Sequence, residues 1–111
     1  MFLEGGSVDG VRILKPETIE LMMSDHLGEK APEPWQPRGL SWGFGAAVEH
    51  SEEQKAAGAP GKYGWVGGGF AKLWVDPQER LIAYINFPLT PPGDNELLTE
   101  FDERVYAALN P

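Results

Sequence analysis

KYGWVGGGFAKLWVDPQERLIAYINF, residues 62–87, decides the fold. Aromatic and β-branched residues crowd three short runs, and two kinds of punctuation separate them: the glycines 67–69 and the turn Asp76-Pro77-Gln78-Glu79-Arg80. Runs of this length and make-up, bounded by glycine and proline, read as strands joined by tight connections. The expectation is strands over 62–67, 70–76 and 81–88, each antiparallel to the next.

Upstream, Ser41 to His50 reads as a further strand. Its small residues Gly43, Gly45, Ala46 and Ala47 would let another backbone approach closely. Residues 51–61 (SEEQKAAGAPG) are polar, and residues 29–39 hold Pro32, Pro34 and Pro37, so both read as loops. Before them, Pro16 stands where a first helical residue belongs, with Glu17 and Glu20 in the opening turns. Ile19, Met22 and Met23 give that helix an apolar face, and it is expected to end near Leu27-Gly28. Asp9-Gly10 is a turn signal, suiting a short hairpin or an extended lead-in. Downstream, Thr90-Pro91-Pro92-Gly93 breaks the chain, and a closing helix over 95–109 follows, capped by Asp94 or Asn95. Leu97, Leu98, Phe101, Val105, Ala108 and Leu109 form its apolar stripe, leaving Glu100, Asp102, Glu103 and Arg104 on the wet side. The fold class that results is α+β. One domain over residues 1–111 has an antiparallel sheet of three to four strands, with an N-terminal and a C-terminal helix packed on it.

Composition narrows the function. A formal charge of −8 argues against nucleic acid and against an anionic membrane surface, since both reward Lys and Arg. The absence of cysteine removes disulfide and thiolate chemistry. No apolar run approaches the ~20 residues of a membrane-spanning helix. The opening Met1-Phe2-Leu3-Glu4-Gly5-Gly6 does not read as a signal peptide, so a cytoplasmic location is expected.

Three stretches, in order, carry a resemblance: GGSVDGVRILKPETIELMMSDHLG (5–28), Ser41-Trp42-Gly43-Phe44-Gly45, and Tyr63-Gly64-Trp65-Val66-Gly67-Gly68-Gly69 followed by Leu73-Trp74-Val75-Asp76-Pro77. Together with the closing amphipathic helix, the chain resembles the C-terminal portion of the serine β-lactamase, penicillin-binding-protein and esterase family. The resemblance puts Trp65, Val66 and Gly67 at the family's third motif, as substrate-binding residues. Val66 departs from the Thr or Gly usual there and offers no polar contact. It also assigns the backbone N–H of Gly68 to half of the oxyanion hole, where a residue without Cβ admits close approach of a substrate. The family's nucleophile sits in Ser-x-x-Lys. Here Ser7, Ser24, Ser41 and Ser51 are followed three residues later by Gly10, Leu27, Phe44 and Gln54, so no such pair exists. Ser51 with Lys55 is one residue off. Tyr84-Ile85-Asn86 mimics the family's Tyr-x-Asn motif but follows the third motif, and reads instead as a strand with alternating faces.

The expected activity is therefore ester or amide hydrolysis by a larger assembly, with this chain inactive alone. The alternative is a non-catalytic module that binds a small molecule or assembles with itself. Expected partners are a second copy, as a homodimer, or a missing N-terminal hydrolase portion. A small molecule in an aromatic cleft formed from Trp35, Trp42, Trp65 and Trp74 is a further candidate. No cofactor and no metal are expected: His26 and His50, beside Asp25 and Glu49, lack ligand spacing. The glycines 67–69 are followed by neither Gly-Lys-Ser/Thr nor a helix start, so close strand crossing suits them better than phosphate.

Overall fold

Each strand of the central sheet pairs with its neighbour in sequence. The computed structural model describes residues 1–33, 39–50, 61–67, 71–87 and 96–109. Strands β1 (Ser7–Val8) and β2 (Val11–Arg12) form a separate hairpin, and helix α1 spans Pro16–Met22. The main sheet contains β3 (Leu40–Trp42), β4 (Ala47–Glu49), β5 (Lys62–Val66), β6 (Ala71–Asp76) and β7 (Leu81–Asn86), antiparallel throughout and in that order. Helix α2 is Glu96–Leu109. The α+β class holds, with five strands in the sheet among the described residues rather than three to four.

The difference lies in residues 41–50. They do not form one strand but a hairpin, β3 against β4, with Trp42 opposite Ala47. Gly45 (φ +97°) turns the chain there, a backbone conformation that side-chain-bearing residues rarely adopt. Gly43 has a different task. A Cβ on it would run into the Met22 carbonyl, and the adjacent Phe44 N–H donates to that same oxygen at 2.8 Å. The element that packs closely against these small residues is the end of α1.

That contact also explains why α1 stops at Met22 instead of running to Leu27-Gly28. The Met22 carbonyl accepts from Phe44, and the Leu21 carbonyl lies 2.6 Å from His26 Nε2, so side chain and sheet satisfy the last turn. The Asp25 carboxylate then captures the N–H groups of Leu27 (2.9 Å) and Gly28 (2.7 Å), a local bond that competes with helix. A 3-10 turn, Gly28–Lys30, follows. The Asp9-Gly10 signal does make a hairpin, with both residues at positive φ. The cap residues Asp94 and Asn95, residues 34–38 of the proline-rich loop and residues 51–60 lie outside the described residues.

Register divides the sheet into two faces. Tyr63 and Val75, Trp65 and Leu73, Leu73 and Tyr84, and Val75 and Ile82 are cross-strand partners and share the first face. Gly64, Trp74 and Ala83, then Val66, Lys72 and Ile85, share the second. The core sits on the first face: Val48, Tyr63 and Val75 pack with Ile19 and Met23, and Phe2, Leu3, Leu14 and Met22 close around them. Phe2 meets Tyr63 edge-on, ring centroids 5.9 Å apart.

Candidate functional site

The second face carries charge. Lys72 and Asp76 are both buried, and α2 lies against them with polar side chains. Lys72 Nζ donates to Asp102, and Tyr106 Oη donates to Asp76 Oδ2 at 2.7 Å. Asp76 Oδ1 meanwhile accepts from the N–H groups of Gln78 and Glu79, so one carboxylate closes the β6–β7 turn and anchors the helix. Lys62 lies 5.2 Å from the Tyr106 ring centroid and 3.6 Å from Glu49. Burial, the bond to Asp76 and the neighbouring carboxylates push the Tyr106 hydroxyl far up, which keeps it a donor. Asp102, assigned by the helical period to the wet side, is thus the partner of a buried lysine thirty residues away. The trace of this in the sequence is faint: Lys72, Trp74 and Asp76 alternate with Ala71, Leu73 and Val75.

Between these pins a cleft of about 630 Å³ separates sheet from helix, a volume within the range of small-molecule sites. Trp65, Val66 and Trp74 line it with Leu40, Ala47 and Leu98, while Glu49, Lys72, Thr99 and Asp102 supply polar groups. Among the described residues, the indole N–H of Trp74 is a buried side-chain donor with no acceptor. Leaving such a donor unpaired costs about 1–3 kcal/mol. Lys72 Nζ lies 5.8 Å from the Trp74 ring centroid.

Of the residues assigned by resemblance, Trp65 and Val66 come together at this cleft. Trp65 stands at its rim: it pairs with Leu73 on the first face, yet its ring meets Trp42 edge-on at 4.8 Å. Gly67 follows the strand end, and its N–H donates to the Ala71 carbonyl at 2.8 Å, so that donor is used within the hairpin. Gly68, the expected oxyanion donor, lies outside the described residues, as do Ser51, Lys55 and Trp35.

A second hollow, about 310 Å³, is bordered by Asp25, Gly28, Glu29, Ala31, Gly39, Leu40 and Ser41. Ser41 is buried and donates its hydroxyl to Asp25. Burial raises the Asp25 carboxyl, but the bonds from Ser41, Gly28 and Leu27 and the charge of His50 outweigh it and hold the carboxyl low. A carboxylate held low is a weak base, and Ser41 is only 4 % exposed, so this pair is poorly placed to activate a nucleophile for a substrate. His26 stacks flat on Phe44 at 3.9 Å, and among the described residues no three His, Asp or Glu side chains gather as a metal site. Tyr84-Ile85-Asn86 lies on β7 with alternating exposure, as its strand reading requires. No described helix is long and apolar enough to cross a membrane. No protein-family model matches the chain, and no curated protein matches it.

Proposed function

We propose that the chain is the C-terminal section of a β-lactamase-like serine hydrolase for esters or amides, silent alone and completed by a portion that brings the nucleophile. The observation that supports this best is on the first face of the sheet. The core covers Tyr63 and Val75, but the neighbouring row Trp65, Leu73 and Tyr84 is open and borders the Trp65-Val66-Gly67 segment. In the completed enzyme a serine hydroxyl would attack the substrate carbonyl and pass its proton to the paired lysine. The Gly68 N–H would hold the oxygen on which charge develops. A chromogenic short-chain ester tests the reading. The purified chain should give no turnover above background, and co-expression with a Ser-x-x-Lys-bearing N-terminal portion of a related hydrolase should restore it. Turnover by the chain alone, abolished by Ser51→Ala, would overturn it.

A second reading, a non-catalytic binding module, is favoured by the Trp74 donor beside the 630 Å³ cleft. It requires a saturable change in tryptophan fluorescence with a neutral aryl amide such as acetanilide, weakened by Trp74→Phe. Unchanged binding in that variant would remove the support.

A further inference from the structure

Half of the first face is left without a cover. Trp65 is 49 %, Leu73 45 %, Ile82 57 % and Tyr84 60 % exposed, and register makes them neighbours on three adjacent strands. The half-open aromatic rings alone present on the order of 200 Å², and with Leu73 and Ile82 the patch reaches a few hundred Å², the size at which exposed apolar surface marks a contact site. Scattered exposed leucines are ordinary; a contiguous row on a sheet face is not. A sheet buries such a face under helices or another sheet. Here the adjoining residues Tyr63 and Val75 already lie under Ile19 and Met23, so a second helix laid beside α1 would continue the same layer.

Charge decides between occupants. A second copy would bring −8 against −8. No charged residue belongs to the row itself, so the repulsion would come from the surroundings and would be relieved by a partner of opposite sign. We infer that the row Trp65, Leu73, Ile82 and Tyr84 is the docking surface for a helix that is apolar on one face and flanked by Lys or Arg. This inference shares its patch with the hydrolase reading but needs no nucleophile, so a failed ester assay leaves it standing and a failed peptide titration leaves the hydrolase reading untouched.

Calorimetric titration with three synthetic helical peptides tests it: Leu/Lys with Leu on one face, a Leu/Glu twin, and a Ser/Lys twin without the apolar face. The Leu/Lys peptide should bind at least about tenfold more tightly than either twin at low salt, with a negative heat-capacity change that the Ser/Lys peptide lacks. Leu73→Ser with Tyr84→Ser, both on exposed positions, should erase its advantage over Ser/Lys, and Ile82→Ser alone should reduce it. Equal binding of Leu/Lys and Ser/Lys would mean bulk attraction to an acidic protein and would overturn the proposal. Equal binding of Leu/Lys and Leu/Glu would overturn its charge argument. Dimerisation in sedimentation that the Leu73→Ser, Tyr84→Ser variant abolishes would assign the patch to a second copy instead.

Discussion

The two faces of the sheet are held by different physics. On the first, Val48, Tyr63 and Val75 meet Ile19 and Met23, and the contact is apolar. On the second, α2 contributes one fully buried apolar residue, Leu98, and among its polar contacts Lys72 donates to Asp102 and Tyr106 to Asp76. Apolar burial is non-directional and tolerates small shifts. A buried ion pair and a buried hydroxyl–carboxylate bond do not, because each leaves an uncompensated group when one partner goes. The contrast teaches why a cleft survives beneath α2: polar pins hold a helix in place without filling the space between them.

The largest break in this contrast should come from Tyr63→Ala. It removes a buried ring on the apolar face and should cost about 3–4 kcal/mol in urea unfolding. A loss under about 1 kcal/mol would mean that the face collapses onto the gap. Lys72→Ala should cost about 2 kcal/mol, because Asp102 is left beside a hydrophobic wall but remains partly exposed. The double variant Lys72→Met, Asp102→Leu should recover most of that loss, and failure to recover would show that the pair does more than neutralise itself.

These two sites also show what the sequence makes legible. The strands of residues 62–87 are written in local composition, and each was readable to within a residue or two. The β3–β4 hairpin was not, because Gly43-Phe44-Gly45 fits both a strand of small residues and a turn until the end of α1 is placed against it. Asp102 escaped for a related reason. A helical period sorts side chains by average polarity, and its partner Lys72 lies on a strand thirty residues earlier. Trp65 and Val66 entered as site residues through a resemblance alone; the structure brings them together at the cleft, while Gly67 spends its N–H on the hairpin.

Smaller effects sharpen the comparison. Tyr106→Phe should cost about 1 kcal/mol at neutral pH through the lost bond to Asp76. It should also change the alkaline limb of stability. Burial pushes the Tyr63 hydroxyl up to about 12, and Tyr106 is raised as well. Groups whose folded pKa is raised give stability that is complete below the unfolded value of ~10 and lost as pH climbs through the folded value. Unfolding midpoints followed from neutral pH upward should fall steeply beyond ~10, and less steeply in Tyr106→Phe. Asp25 acts in the opposite direction. Its lowered carboxyl gives stability present above the ordinary carboxylate range and lost as pH drops, so Asp25→Asn should flatten the acid limb by the smallest margin of the set. An acid limb unchanged by that substitution would remove Asp25 from the account.

The strand order has a consequence for how the molecule comes together in time. Because β3 to β7 are joined as successive neighbours, every pairing in the sheet closes a short stretch of chain, and no crossover has to be threaded. The contacts of Ile19 with Tyr63 and Val75, and of Glu4 with Arg80, instead join residues more than forty positions apart. Loop-closure entropy therefore favours a meander that zips from its own turns, with the N-terminal hairpin and α1 settling onto it afterwards. Residues such as Ile19 would then govern how fast the protein comes apart more than how fast it forms.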